Sequence, residues 1–215
     1  KFSRIDSLTV NSEDVEFIIE TPILQGRKGG DLSGGQADAV AGTSTALSAD
    51  GNVVAVGARA YDYTNTNNYN AGRVQVFDYS GNSWILKGGP DDLSGGQADA
   101  QAGDSTAFSA DGNVVVVGAY GYDYTNNSNS REGRAQVFDY TGGSWVQRGS
   151  DLSGGKADAL AGSSTALSAD GNVVAVGARR YDYTDNNAGR VQVFHYFDKI
   201  NLSDIIDSII TGDSI

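Results

Sequence analysis

Three loops of this 215-residue chain carry the side chains best suited to binding: YDYTNTNNYNAG from Tyr61, YDYTNNSNSREG from Tyr122 and YDYTDNNAG from Tyr181. Each sets an aspartate between two tyrosines and follows it three residues later with an amide or a second acid. The pairs are Asp62 with Asn65, Asp123 with Asn126, and Asp182 with Asp185. Oxygen donors at that spacing could ligate calcium together with backbone carbonyls and water. Asp62, Asp123 and Asp182 are therefore the candidate ligands, and calcium the candidate cofactor. The flanking rings of Tyr61, Tyr63, Tyr122, Tyr124, Tyr181 and Tyr183 suit a glycan instead, since an aromatic face can stack on a sugar while amides and carboxylates bind its hydroxyls. A structural reading competes with both, in which Asx-turns hold a long loop in shape and the tyrosines pack on a sheet.

Catalysis finds fewer candidates. The one histidine, His195, stands where the other two copies of its segment have Asp78 and Asp139, which marks it as a surface substitution. There is no cysteine, so there is no thiol nucleophile, disulfide or thiolate metal site. No G-x-S-x-G elbow occurs, and the SGG segments lack the Lys-Ser/Thr of a phosphate loop. Near-identical copies also argue against one specialised centre, because catalysis needs different residues converging in one place. The expectation is a protein that is not an enzyme.

Charge narrows the partners. With 27 acidic against 15 basic residues the formal net charge is −12, so the basic stripe needed for nucleic acid is missing. The same sign disfavours anionic lipid. No apolar run of about eighteen residues occurs, so no helical membrane span is expected. The absence of Met leads to the expectation of a processed mature form or a fragment.

The elements that must position these loops are visible as a repeat. DLSGG begins at Asp31, Asp92 and Asp151; the Asp of ADG follows nineteen residues later at Asp50, Asp111 and Asp170; YDYT follows thirty residues after each start. Copies one and three differ at four of their first thirty-four positions. Each copy reads as four short strands: TSTALS with small side chains (43–48), NVVAVGA apolar on both faces (52–58), RVQVFDY alternating (73–79), and SWILKG or SWVQRG with one Trp among polar residues. Small, then buried, then amphipathic is the gradient of a wedge whose inner strand crowds an axis, which is a four-stranded antiparallel propeller blade. Ala-Asp-Gly-Asn between the first two strands suits a tight hairpin, with a type I′ turn as the expectation.

The chain thus divides into a non-repeat segment (1–21), three blades over 22–197 (31–91, 92–150 and 151–197, with 22–26 as a closing strand), and an amphipathic tail (198–215). A strand is expected at 15–19. Leu202, Ile205, Ile206, Ile209 and Ile210 fall at helical spacing between an N-cap at Ser203 and a stop at Gly212, giving a short C-terminal helix. The third copy lacks a Trp strand, and three blades leave too tight an axis. The ring is expected to be completed by another chain or by missing blades, which makes self-association or a protein partner part of the expectation.

The string STALSADGNVVAVGA followed by AGRVQVFDYSGNSW resembles the FG-GAP-like repeats of integrin-α-type β-propellers over residues 22–197. Here the FG of that pattern is Ala41-Gly42, Ala102-Gly103 and Ala161-Gly162, and the GAP is Gly57-Ala58-Arg59, Gly118-Ala119-Tyr120 and Gly177-Ala178-Arg179. The acidic calcium loop of such blades is shrunk to Ala-Asp-Gly-Asn, with a single carboxylate, so that role does not pass to Asp50, Asp111 or Asp170. The resemblance implies an extracellular or cell-surface module for adhesion, recognition or assembly. The alternatives are a glycan-binding, lectin-like propeller and a structural subunit of a larger complex.

Overall fold

A computed structural model describes residues 26–63, 68–89, 93–125, 130–182 and 188–197. The strand expected at 15–19, the closing strand at 22–26 apart from Gly26, and the C-terminal helix lie outside the described residues.

Among the described residues the chain is all-β, with thirteen strands and no helix, arranged as three antiparallel sheets. The first runs β1 (Ala41–Leu47), β2 (Val53–Ala58), β3 (Arg73–Ser80), β4 (Ser83–Leu86), and β5 (Leu93–Ser94) also pairs with β3. The second repeats it with β6 (Ser105–Phe108), β7 (Val114–Ala119), β8 (Arg134–Thr141) and β9 (Ser144–Gln147), and β10 (Leu152–Ser153) again joins β8. The third holds β11 (Ala161–Leu167), β12 (Val173–Ala178) and β13 (Arg190–His195). The outer strand of each complete sheet is therefore broken in two. β4 covers Phe77–Ser80 of β3, while β5 covers Arg73 and Val74. DLSGG opens the sequence repeat but closes the preceding sheet.

Burial follows the strand order. Every residue of β2 and β7 is buried, as a continuous Val/Ala run covered on both faces requires. The pairings Ala55↔Val76 and Gly57↔Val74 put Val53, Ala55, Val74 and Val76 on one face. That face packs on Phe108, Val115 and Val117 of the second sheet, and Val114, Val116, Ala135 and Val137 pack in the same way on Val174 and Val176 of the third. Each fully covered valine contributes roughly 1.5–3 kcal/mol. Innermost, the sheets meet backbone to backbone: a Cβ on Gly57 would stand 2.1 Å from the Gly103 carbonyl oxygen, and one on Gly118 2.1 Å from that of Gly162. No side chain fits that space, which is why the inner strands carry Gly, Ser, Thr and Ala up to their terminal Leu47, Phe108 and Leu167.

The ADGN turn differs from the expected type I′. Gly51 has φ 67°, but Asp50 is not among the residues with positive φ, whereas type I′ needs both central residues there. Instead Gly51 N–H donates to Ser48 C=O at 2.9 Å, and the left-handed glycine follows a right-handed turn. Asp50 closes the loop by side chain, accepting from Ser48 Oγ at 2.6 Å, Asn52 N–H at 2.9 Å and Asn52 Nδ2 at 2.8 Å. A carboxylate that accepts several bonds does not need the strained backbone.

Candidate functional site

The loops from Tyr61, Tyr122 and Tyr181 follow β2, β7 and β12, one at the same end of each sheet. Asn65, Asn126, Tyr183 and Asp185 lie outside the described residues; the other eight candidates are in place. The first tyrosine of each loop serves the fold. The guanidinium of Arg73 lies 3.7 Å from the centroid of Tyr61, that of Arg134 3.6 Å from Tyr122, and that of Arg190 3.7 Å from Tyr181. Each of these arginines opens the third strand of its sheet and donates from Nη2 to the carbonyl of an SGG segment: Gly34 at 2.8 Å, Gly95 at 3.0 Å, Gly154 at 2.7 Å. A cation held over a ring while its fork bonds a backbone oxygen is a clamp between chain segments some forty residues apart. Tyr63 and Tyr124 stand edge-on to Tyr61 and Tyr122, with centroids 4.9 and 4.8 Å apart.

The aspartates are spent locally. Asp62 Oδ1 accepts the Asn70 N–H at 2.6 Å. Asp123 Oδ1 accepts the Thr125 N–H at 2.7 Å and its hydroxyl at 2.8 Å. Asp182 offers its main-chain carbonyl to Lys156 Nζ at 2.5 Å. Only the Asp123 contact is the Asx-turn of the structural reading, while Asp62 spans its loop to a residue eight positions on and Asp182 contributes its main chain. The three acids belong to three different sheets, and among the described residues no group of three or more His, Cys, Asp or Glu side chains could hold a metal ion. His195 is exposed, with its ring 4.3 Å from that of Phe197.

The middle loop has a fuller setting. Tyr124 Oη donates to Asp151 Oδ2 at 3.1 Å, and the same oxygen lies 2.6 Å from Arg134 Nη1. Gln136 and Gln147 each donate to Asp151 Oδ1 at 2.9 Å. Burial works against the Asp151 charge, but the bonds and charge of Arg134, with Gln147 and Tyr124, hold its carboxyl below the ordinary value. Burial, then the neighbouring Asp151 charge, raises the Tyr124 phenol. Beside this network Gln97, Asp99, Gln101, Asp123 and Arg131 line a cleft of about 390 Å³. Asp123 Oδ2 and Gln101 Oε1 are buried without a hydrogen-bond partner among the described residues.

Sequence reasoning missed a second clamp. Lys28, Lys87 and Arg148 each reach the ADGN turn of the following sheet: Lys28 Nζ to Gly51 C=O at 2.7 Å, Lys87 Nζ to Asn113 Oδ1 at 3.1 Å, Arg148 Nη1 to Gly171 C=O at 2.8 Å. Lys87 also lies 3.4 Å from Asp78 and 4.7 Å from the Tyr140 centroid, and Arg148 pairs with Asp139. Trp84 and Trp145 complete the first two of these by donating to the Lys28 and Lys87 carbonyls at 2.9 and 3.0 Å. The signal was present in the repeat, where a base recurs a few residues before every DLSGG and an arginine follows Gly72, Gly133 and Gly189. No family model and no curated protein matches the chain.

Proposed function

We infer that the chain is a β-propeller module of the FG-GAP-like kind, acting outside the cytoplasm or at a cell surface in adhesion, recognition or assembly rather than as an enzyme. The observation that carries this reading is where the polar side chains go. Arginines, lysines, aspartates and tyrosines that could have built a centre are used in the same way at successive joints between sheets. A catalytic site needs residues that diverge between copies and converge in space. Antiparallel sheets packed face to face, with small side chains innermost, support the propeller assignment. A propeller of this kind needs more blades than three, supplied by another chain or by further repeats.

Beads coated with the full chain should adhere to cell surfaces or to an immobilised partner protein, and the chain should turn over none of a panel of ester, glycoside and phosphate substrates. Turnover of any of them overturns the reading. The cleft beside Asp123 favours one alternative, a glycan-binding module, because the amides, carboxylates and Arg131 that line it suit sugar hydroxyls. A glycan array decides it: sugar binding abolished by Asp123→Ala supports the alternative, and an empty array removes it.

A further inference from the structure

The third sheet shows a face that its two predecessors cover. Val74 and Val76 of β3 are 0% and 2% exposed and Ala135 and Val137 of β8 are 0% exposed, whereas their repeats in β13, Val191 and Val193, are 68% and 67% exposed. At the other end, Leu47 of the first sheet is 60% exposed where its repeat Phe108 is 9% exposed against the first sheet, while Val54 beside it is 8% exposed, so that this face is open at Leu47.

The two ends also carry the separated halves of bonds that each joint inside the chain makes. Ala49 N–H donates to Ala110 C=O, and Ala110 N–H to Ala169 C=O, both at 2.8 Å. The Ala169 N–H and the Ala49 C=O have no such partner among the described residues. Ser44 Oγ donates to Gly103 C=O and Ser105 Oγ to Gly162 C=O, both at 2.8 Å, which leaves Ser164 at one end and Gly42 at the other without that bond among the described residues. Gly57 and Gly118 lie against the glycine of the next inner strand, but nothing lies within 4 Å of the Cβ position of Gly42. The outer edge repeats the pattern. Leu93–Ser94 pairs on β3 and Leu152–Ser153 on β8, whereas the same letters at Leu32–Ser33 lie in no strand and β13 pairs with β12 alone among the described strands. Leu32–Ser33 is nonetheless preset, because Lys28 and Gly34 hold the first sheet as Lys87 and Gly95 hold the second.

We propose that the uncovered face of the third sheet binds the first sheet of a second copy of this chain, head to tail, with Leu32–Ser33 of one copy pairing on Arg190 and Val191 of the other. The occupant is a second copy because both joints within the chain already display the whole contact, made by the same residue types at the same repeat positions. The joint is heterologous, so it either closes a ring or propagates. The inference rests on the stacking of sheets in the reading above, and its failure leaves the recognition part of that reading to stand or fall by its own assays.

Sedimentation of the full chain at tens of micromolar should give more than one chain's mass. Val193→Asp and Leu47→Asp each change a side chain exposed in the single chain, so both variants should fold, and each should run as one chain. Mixed in equal amounts they should form a two-chain species, because one retains an intact first sheet and the other an intact third face. Three outcomes overturn the proposal: a wild type of one chain's mass, a variant that keeps the wild-type mass, or a mixture that stays at one chain's mass.

Discussion

Asp50, Asp111 and Asp170 do their work as acceptors inside a turn, and this makes them sensitive to acid. Hydrogen bonds from Ser48, then from Asn52, bring the Asp50 carboxyl to about 2 from an ordinary 3.8. Asp111 is lowered chiefly by the Ser109 hydroxyl and Asp170 chiefly by that of Ser168. Because the folded state holds these protons less tightly than the unfolded chain, their stabilisation is complete above the unfolded value and is lost as pH falls through the folded one. Unfolding monitored by urea should weaken between about pH 4 and pH 2, and the triple change to Asn should flatten that slope; an unchanged slope would count against the turn role. The loop aspartates lead to a different expectation. Among the described residues no three such side chains gather at these loops, whereas calcium takes six to eight oxygens, so excess calcium and excess chelator should give the same melting temperature. A calcium-dependent rise would restore the metal reading through mass action.

At the scale of elements, the clamp between an arginine, a tyrosine and a glycine carbonyl ties the start of each third strand to the SGG segment ahead of its sheet. A lysine could keep the charge but neither the planar stack nor the fork. Arg134→Lys should therefore lower stability by about 1–2 kcal/mol, read by chemical denaturation, because Arg134 is buried and also serves Asp151. A loss no larger than that of an exposed lysine swap would show the stack to be incidental. Strand positions, the ADG hairpins and the both-faces burial of Val53–Ala58 and Val114–Ala119 were legible in the sequence, since a period-two or all-apolar run between Gly and Asp admits little else. The broken outer strand was not. Leu93–Ser94 is two residues long and joins β3 only because the chain turns after Leu86, and no local pattern announces so short a pairing.

Across the whole molecule, identical letters have different environments. Val76 and Val193 occupy the same place in the repeat, yet one is 2% exposed and the other 67%. In dilute solution, where chains are single, Val76→Ala should lower stability by about 2 kcal/mol through lost burial and a residual cavity, and Val193→Ala by less than about 0.5 kcal/mol. Equal losses would mean that the third sheet is covered in the same way as the first. The contrast also separates the two candidate sites: Tyr61, Tyr122 and Tyr181 each stack on an arginine, while Gln101, which no motif marked, lines the cleft with Asp123.

The repeated alternation of small, apolar and amphipathic segments was enough to determine three repeated antiparallel units, because strand periodicity and turn chemistry act over a few residues. Which aspartates gather, which tyrosines stay free and which valines meet solvent depended on how one sheet lies against the next. Those contacts join residues about forty to sixty positions apart, and their energy comes from packing that only the assembled sheets possess.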